Sequence, residues 1–210
     1  TKKAEALALY RSGRSREALP ALWGRVDESY FQRFDADEMA WHAAESDAAP
    51  DETILVRVRH EAGEDDQRRF EVMVMMRDQP GLFARITGFF ERLSCDIAAA
   101  RIYTTRDGTV IDQFQVLPRS AVRAADAARH IERELHGHLS TDAMPAPPPR
   151  GRLARQVRHF PIDPSVTLSR ARRAGFWELA IACADRPGLL SSIARVLLDF
   201  GIDLHDARIT

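Results

Sequence analysis

Asp78-Gln79-Pro80-Gly81-Leu82 and Asp185-Arg186-Pro187-Gly188-Leu189 set an acid, a proline, a bare glycine and a leucine in one order, twice in one chain. Each stretch lies between a branched apolar run and an amphipathic one, so each reads as the corner where a strand gives way to a helix. The backbone N–H groups of a helix's first turn lack intrahelical partners, and the dipole adds positive potential, so a small carboxylate is held there. Glycine leaves the main chain approachable, and the aspartate can face an ammonium group. Together these features describe a reader of a free amino acid. The same residues also make a sound helix start on their own, with proline at the first helical position and aspartate accepting from free N–H groups. The second copy favours binding.

The two corners belong to a longer repeat. Asp78 and Asp185 are 107 positions apart (185 − 78), and the same offset pairs Ile86 with Ile193, Asp96 with Asp203 and Arg101 with Arg208. Residues 78–102 therefore align with 185–209 without a gap, the signature of a duplicated module. The elements that hold the first corner follow from pattern. TILVRVR at 53–59 and FEVMVMM at 70–76 read as strands around a turn at GEDD, 63–66. Leu82, Phe83, Ile86, Phe89, Phe90 and Leu93 make one apolar face of a helix running from Pro80 to about Leu93. Next, DIAAARIYTT and TVIDQFQVL flank Asp107-Gly108, which predicts a hairpin with a type I′ turn. Helical spacing returns over 120–139 through Val122, Ala125, Ile131, Leu135 and Leu139.

In the second copy VTLS at 166–169 and FWELAIAC at 176–183 read as strands, and Leu189 to Phe200 repeat the first helix face. Ahead of both copies, residues 1–50 read as a short helical segment, in which DADE at 35–38 spells a capping box. The expected organisation is a helical segment over 1–50, a first module over 51–145, a linker over 146–165 begun by APPP, and a second, incomplete module over 166–210. A strand–helix–strand remnant would leave an open edge and an uncovered apolar face, so the chain is expected to be a piece of a longer protein.

With 45% hydrophobic and 29% charged residues the composition is that of an ordinary globular protein. Its 30 basic and 31 acidic side chains leave no net field to draw nucleic acid, and the arginine runs lack interleaved aromatics. No apolar run is long enough to span a membrane, and no secretory signal stands at Thr1, so a cytoplasmic location is expected. Cys95 and Cys183 read as two buried free thiols. No catalytic or metal site is expected. Asp35-Ala36-Asp37 is explained by the capping box, His205-Asp206 has no companions to complete a metal shell, and His136-Gly137-His138 reads as a solvated helix end.

The Asp-x-Pro-Gly-Leu corner, the helix after it and the strand of the form D-I-A-A-A-R-I resemble ACT domains, ferredoxin-like βαββαβ modules that bind amino acids. More narrowly, LWGRVDESYFQRFDADEMAWH at 22–42, ARIYTTRDGTVIDQFQVL at 100–117, RHFPIDPSV at 158–166 and LAIACADRPGLL at 179–190 resemble the C-terminal part of bifunctional uridylyltransferase/uridylyl-removing enzymes of the PII nitrogen-regulatory protein. The resemblance implies an α+β fold of tandem ACT modules, ACT–ACT pairing within or between chains, and glutamine as ligand at Asp78 to Leu82 and Asp185 to Leu189. It implies PII as partner and no cofactor in this chain, with magnesium serving the parent enzyme's transferase domain. A regulator of another enzyme or a transcription factor, reading a different amino acid, is the alternative.

Overall fold

The computed structural model describes the chain except residues 13, 16, 62–68, 120–123, 142–162, 172–174, 187, 203, 205–206 and 210. The expected turn at 63–66, most of the linker, Pro187 and His205-Asp206 lie outside the described residues.

Helix α1 (Lys2–Arg11), a 3-10 turn (Ala21–Gly24), α2 (Glu28–Arg33) and α3 (Ala36–Ala48) come first. The capping box at the start of α3 is formed as expected: Asp35 accepts from the third-residue amide while the Asp35 N–H donates to Glu38 Oε2 at 2.8 Å. There follow β1 (Ile54–Glu61), β2 (Arg69–Arg77), α4 (Leu82–Arg92), β3 (Cys95–Arg101), β4 (Thr109–Pro118) and α5 (Ala124–Leu139). The repeat supplies β5 (Ser165–Arg170), β6 (Trp177–Ala182), α6 (Leu189–Asp199) and β7 (Arg208–Ile209).

Five strands form one antiparallel sheet in the order β1-β2-β4-β3-β7. The fold is thus α+β with an antiparallel sheet, in keeping with the expected class. The edge beside β2 is filled by β1, which precedes it, so the first module runs ββαββα along the chain, a cyclic rearrangement of βαββαβ.

β2 is buried from Phe70 to Met76 because both its faces are covered. Phe70, Val72, Val74 and Met76 point to the core made with Leu82, Ile86 and Phe90 of α4 and Ile131 and Leu135 of α5. Met73 and Met75 point the other way, into a cluster with Leu22, Tyr30, Phe31, Phe34 and Met39. A strand apolar at nearly every position is what two covered faces require, and the one buried exception, Glu71, is paired with Arg59. Phe70, Phe90 and Phe114 are fully buried, each contributing about 1.5–3 kcal/mol over an exposed phenylalanine.

Three local expectations change. Among the residues of the β3–β4 hairpin turn only Gly108 has positive φ (+79°), and its N–H donates to Thr105 at 3.1 Å. The turn is therefore a three-residue loop ending in a left-handed glycine, and not type I′, which needs two such residues. Cys95 is buried, but Cys183 is only half-buried. Helix α5 holds His138 against Phe89, the rings stacked at 5.6 Å, so His138 is not a solvated end; burial pushes its pKa down.

Candidate functional site

At the end of β2 the chain turns through Gln79-Pro80-Gly81-Leu82, with Leu82 N–H donating to Gln79 O at 3.1 Å. Gly81 has φ +78° and ψ 7°. Those are the angles of the third residue of a type II turn, where proline favours the second position and glycine the third. Helix α4 begins at Leu82, so Pro80 occupies the turn rather than the first helical position expected from sequence. The second corner repeats this geometry, with Gly188 at φ +73° and ψ 8° and Leu189 N–H donating to Arg186 O at 3.1 Å. Neither helix has a side-chain cap, so Asp78 and Asp185 do not satisfy the helix amides as a cap would; both are exposed. The N–H groups of Phe83 and Ala84 belong to the first turn of α4, whose amides lack intrahelical partners.

The first corner opens onto a cavity of about 250 Å³. Asp78 to Ala84 form one wall, Val110 and Asp112 of β4 a second, and Leu197, Leu198, Ile202 and Leu204 of the second copy a third. Symmetry brings that third wall in. β7 pairs antiparallel with β3, Arg101 lying opposite Arg208 and Ala100 opposite Ile209. Ile102 N–H donates to Ala207 O at 3.4 Å, so equivalent strands meet about a local two-fold, and α4 and α6 pack side by side. The end of α6 thereby reaches the Gly81 corner. A Cβ on Gly81 would lie 3.0 Å from Leu198 Cδ1. The space expected for a guest at that glycine is taken by leucine, and the cavity lies beside the bend.

Asp112 is the polar group of the deep wall. It is 2% exposed, and its Oδ1 has no hydrogen-bond partner. Burial, and then the charge of Asp78, push its pKa well above the usual carboxylate range; a Tyr103 backbone hydrogen bond acts the other way. The corner motif does not point to Asp112. Its signal is the period of two in TVIDQFQVL, where Val110, Phe114 and Val116 face the core and an acid stands between them.

Gln79 is held from behind. Its Oε1 accepts from Arg85 Nη1 at 2.9 Å, and the buried Arg85 also donates to the carbonyls of His138, Leu139 and Thr141 at the end of α5. Arg85 therefore clamps α5 to the corner and closes open carbonyls. The cavity gathers Asp78, Gln79, Pro80, Gly81 and Leu82 but none of Asp185, Arg186, Gly188 and Leu189. Among the described residues, no group of three or more His, Cys, Asp or Glu is arranged to hold a metal, and no helix is long and apolar enough to cross a membrane.

Residues 1–45 match the family described as the uridylyltransferase GlnD fifth domain. The chain is 42% identical over 190 residues, 90% of its length, to the bifunctional uridylyltransferase/uridylyl-removing enzyme of Aromatoleum aromaticum, covering 22% of that protein. It is 39% identical over 192 residues to the enzyme of that name from Chromobacterium violaceum, covering 90% of this chain and 22% of that one. With the Ralstonia nicotianae enzyme the identity is 38% over 216 residues, 99% of this chain and 25% of the relative. The chain spans about a quarter or less of the length of these relatives. Along nearly all of its length the chain is thus similar to one region of bifunctional uridylyltransferase/uridylyl-removing enzymes, and its first 45 residues match the fifth-domain family of such proteins.

Proposed function

We propose that the chain is the regulatory region of an enzyme that transfers UMP to the PII protein and removes it, and that it senses glutamine through tandem ACT modules. In this reading residues 1–50 follow the catalytic domains, which carry the magnesium-dependent transfer, and the modules work in the cytoplasm. The observation that carries the reading is the cavity beside Asp78 to Leu82, closed by the end of α6 from the second copy. A ligand there touches both modules at once, so occupancy biases how they pair, and pairing is a two-state element that a distant catalytic domain can read. Edge pairing at Arg101 and Arg208 supports ACT–ACT association within one chain. By sequence, Asp185 to Leu189, with Pro187 among them, are the corresponding positions of the second copy.

Calorimetric titration of the chain with L-glutamine tests the reading. Saturable heat with glutamine, and none with its D-enantiomer, is the expected result. Absence of heat with glutamine overturns the glutamine assignment, and saturable heat with another amino acid would assign the cavity to that ligand instead. The chain by itself is expected to transfer no UMP to PII.

A further inference from the structure

We infer that Asp112, and not the corner's own Asp78, is the residue that receives the ammonium group of the ligand in the cavity beside Gly81, which makes Asp112 the group that selects amino acids over deaminated acids. The inference rests on the amino-acid reading above and deepens it.

Asp112 lies on the cavity wall at an inward position of β4, between Val110 and Phe114 on the strand's core face. Its Oδ1 is buried with no donor. A buried acceptor without a partner is rare in folded proteins and costly. Among the described residues no lysine, arginine or histidine lines the cavity; the buried Arg85 is not part of its lining, and both Nη groups of that residue are committed to Gln79 and the end of α5. The missing donor is therefore expected from a guest. Phe83 and Ala84, in the first turn of α4, line the same cavity, and the amides and dipole of a helix start suit a carboxylate. Acceptor on one wall and donors on another match the two ends of a zwitterion. Asp78 is exposed, so water screens its charge. Asp112 is desolvated, and a pair formed there is stronger.

The discriminating experiment titrates the full chain with L-glutamine and with glutaramic acid, the same molecule without its α-ammonium group, in wild type, Asp112→Asn and Asp78→Asn. Wild type is expected to prefer glutamine by about tenfold or more, as a buried charged pair warrants. Asp112→Asn is expected to shrink that preference to less than about threefold, while Asp78→Asn keeps it. A preference retained in Asp112→Asn, or lost only in Asp78→Asn, overturns the assignment and leaves the sensor reading standing. If wild type binds neither compound, the sensor reading fails and this inference with it. Thermal unfolding of Asp112→Asn at or above the wild-type temperature is expected, since the substitution removes a buried uncompensated acid; lowered binding in a variant that is folded by this measure counts as support.

Discussion

Arg101 and Arg208 stand opposite each other where β3 meets β7, and they are the same residue of the repeated unit, 107 positions apart (208 − 101). A residue paired with its own repeat partner marks the axis of a local two-fold. Arg101 also forms an ion pair with the buried Glu38 of α3, so the axis is tied to the helices on the other face of the sheet.

The first prediction concerns that axis. The Ile102–Ala207 pair is hydrogen-bonded, so the Arg101–Arg208 pair beside it is of the non-bonded kind, in which the Cα atoms lie closest together. Arg101→Cys combined with Arg208→Cys is therefore expected to form an intramolecular disulfide on mild oxidation. Faster migration on a non-reducing gel, without dimer, checks it; crosslinks only between chains would count against the two-fold.

Two glycines should respond in opposite directions to alanine. Gly81 has φ +78°, and a methyl group there would lie 3.0 Å from Leu198, whereas Gly137 lies within α5 with nothing within 4 Å. Gly81→Ala is expected to cost about 1–3 kcal/mol in urea unfolding, through backbone strain and displacement of Leu198. Gly137→Ala is expected to gain about 0.5–1 kcal/mol from helix propensity.

A buried polar chain links the N-terminal helices to the sheet. Tyr30 Oη donates to His42 Nδ1 at 3.0 Å, and His42 Nε2–H to Gln113 Oε1 at 2.9 Å, the imidazole tautomer being set by the acceptors available. Gln113 Nε2 in turn donates to Glu38 Oε1 at 2.8 Å. Gln113→Leu is expected to lower stability by about 1–3 kcal/mol, because the His42 N–H loses its acceptor and Glu38 a donor. Chemical denaturation of the variant against wild type measures the loss.

The same histidine predicts an acid limb. Burial lowers the His42 pKa from 6.5 to about 3, with the Gln113 hydrogen bond opposing. Below pH 6.5 the unfolded chain takes up a proton that the folded chain refuses until about pH 3, so this contribution to stability is present above 6.5 and lost as pH falls through that window. Between pH 6.5 and 5.0, wild type is expected to lose up to about 2 kcal/mol more than His42→Gln. Urea unfolding at the two pH values reads the difference, and equal losses would show that His42 ionises freely in the fold.

Amino-acid order alone determined the elements, since period, capping and turn chemistry are local. The 3.6-residue face from Leu82 to Phe90, the Asp35–Glu38 box and the apolar run Val72–Met76 of β2 each state their conformation within a few residues. The repeat, and with it the two corners, was equally legible, because an offset of 107 needs only comparison of letters. Tertiary structure decided what those corners face. Leu198 reaches Gly81 only because β3 and β7 pair, and Asp112 reaches the cavity only because β4 lies beside β2 with that face toward α4. Such contacts join residues far apart in the chain through strand pairing and burial, free-energy terms set by which surfaces meet, and no local pattern carries them.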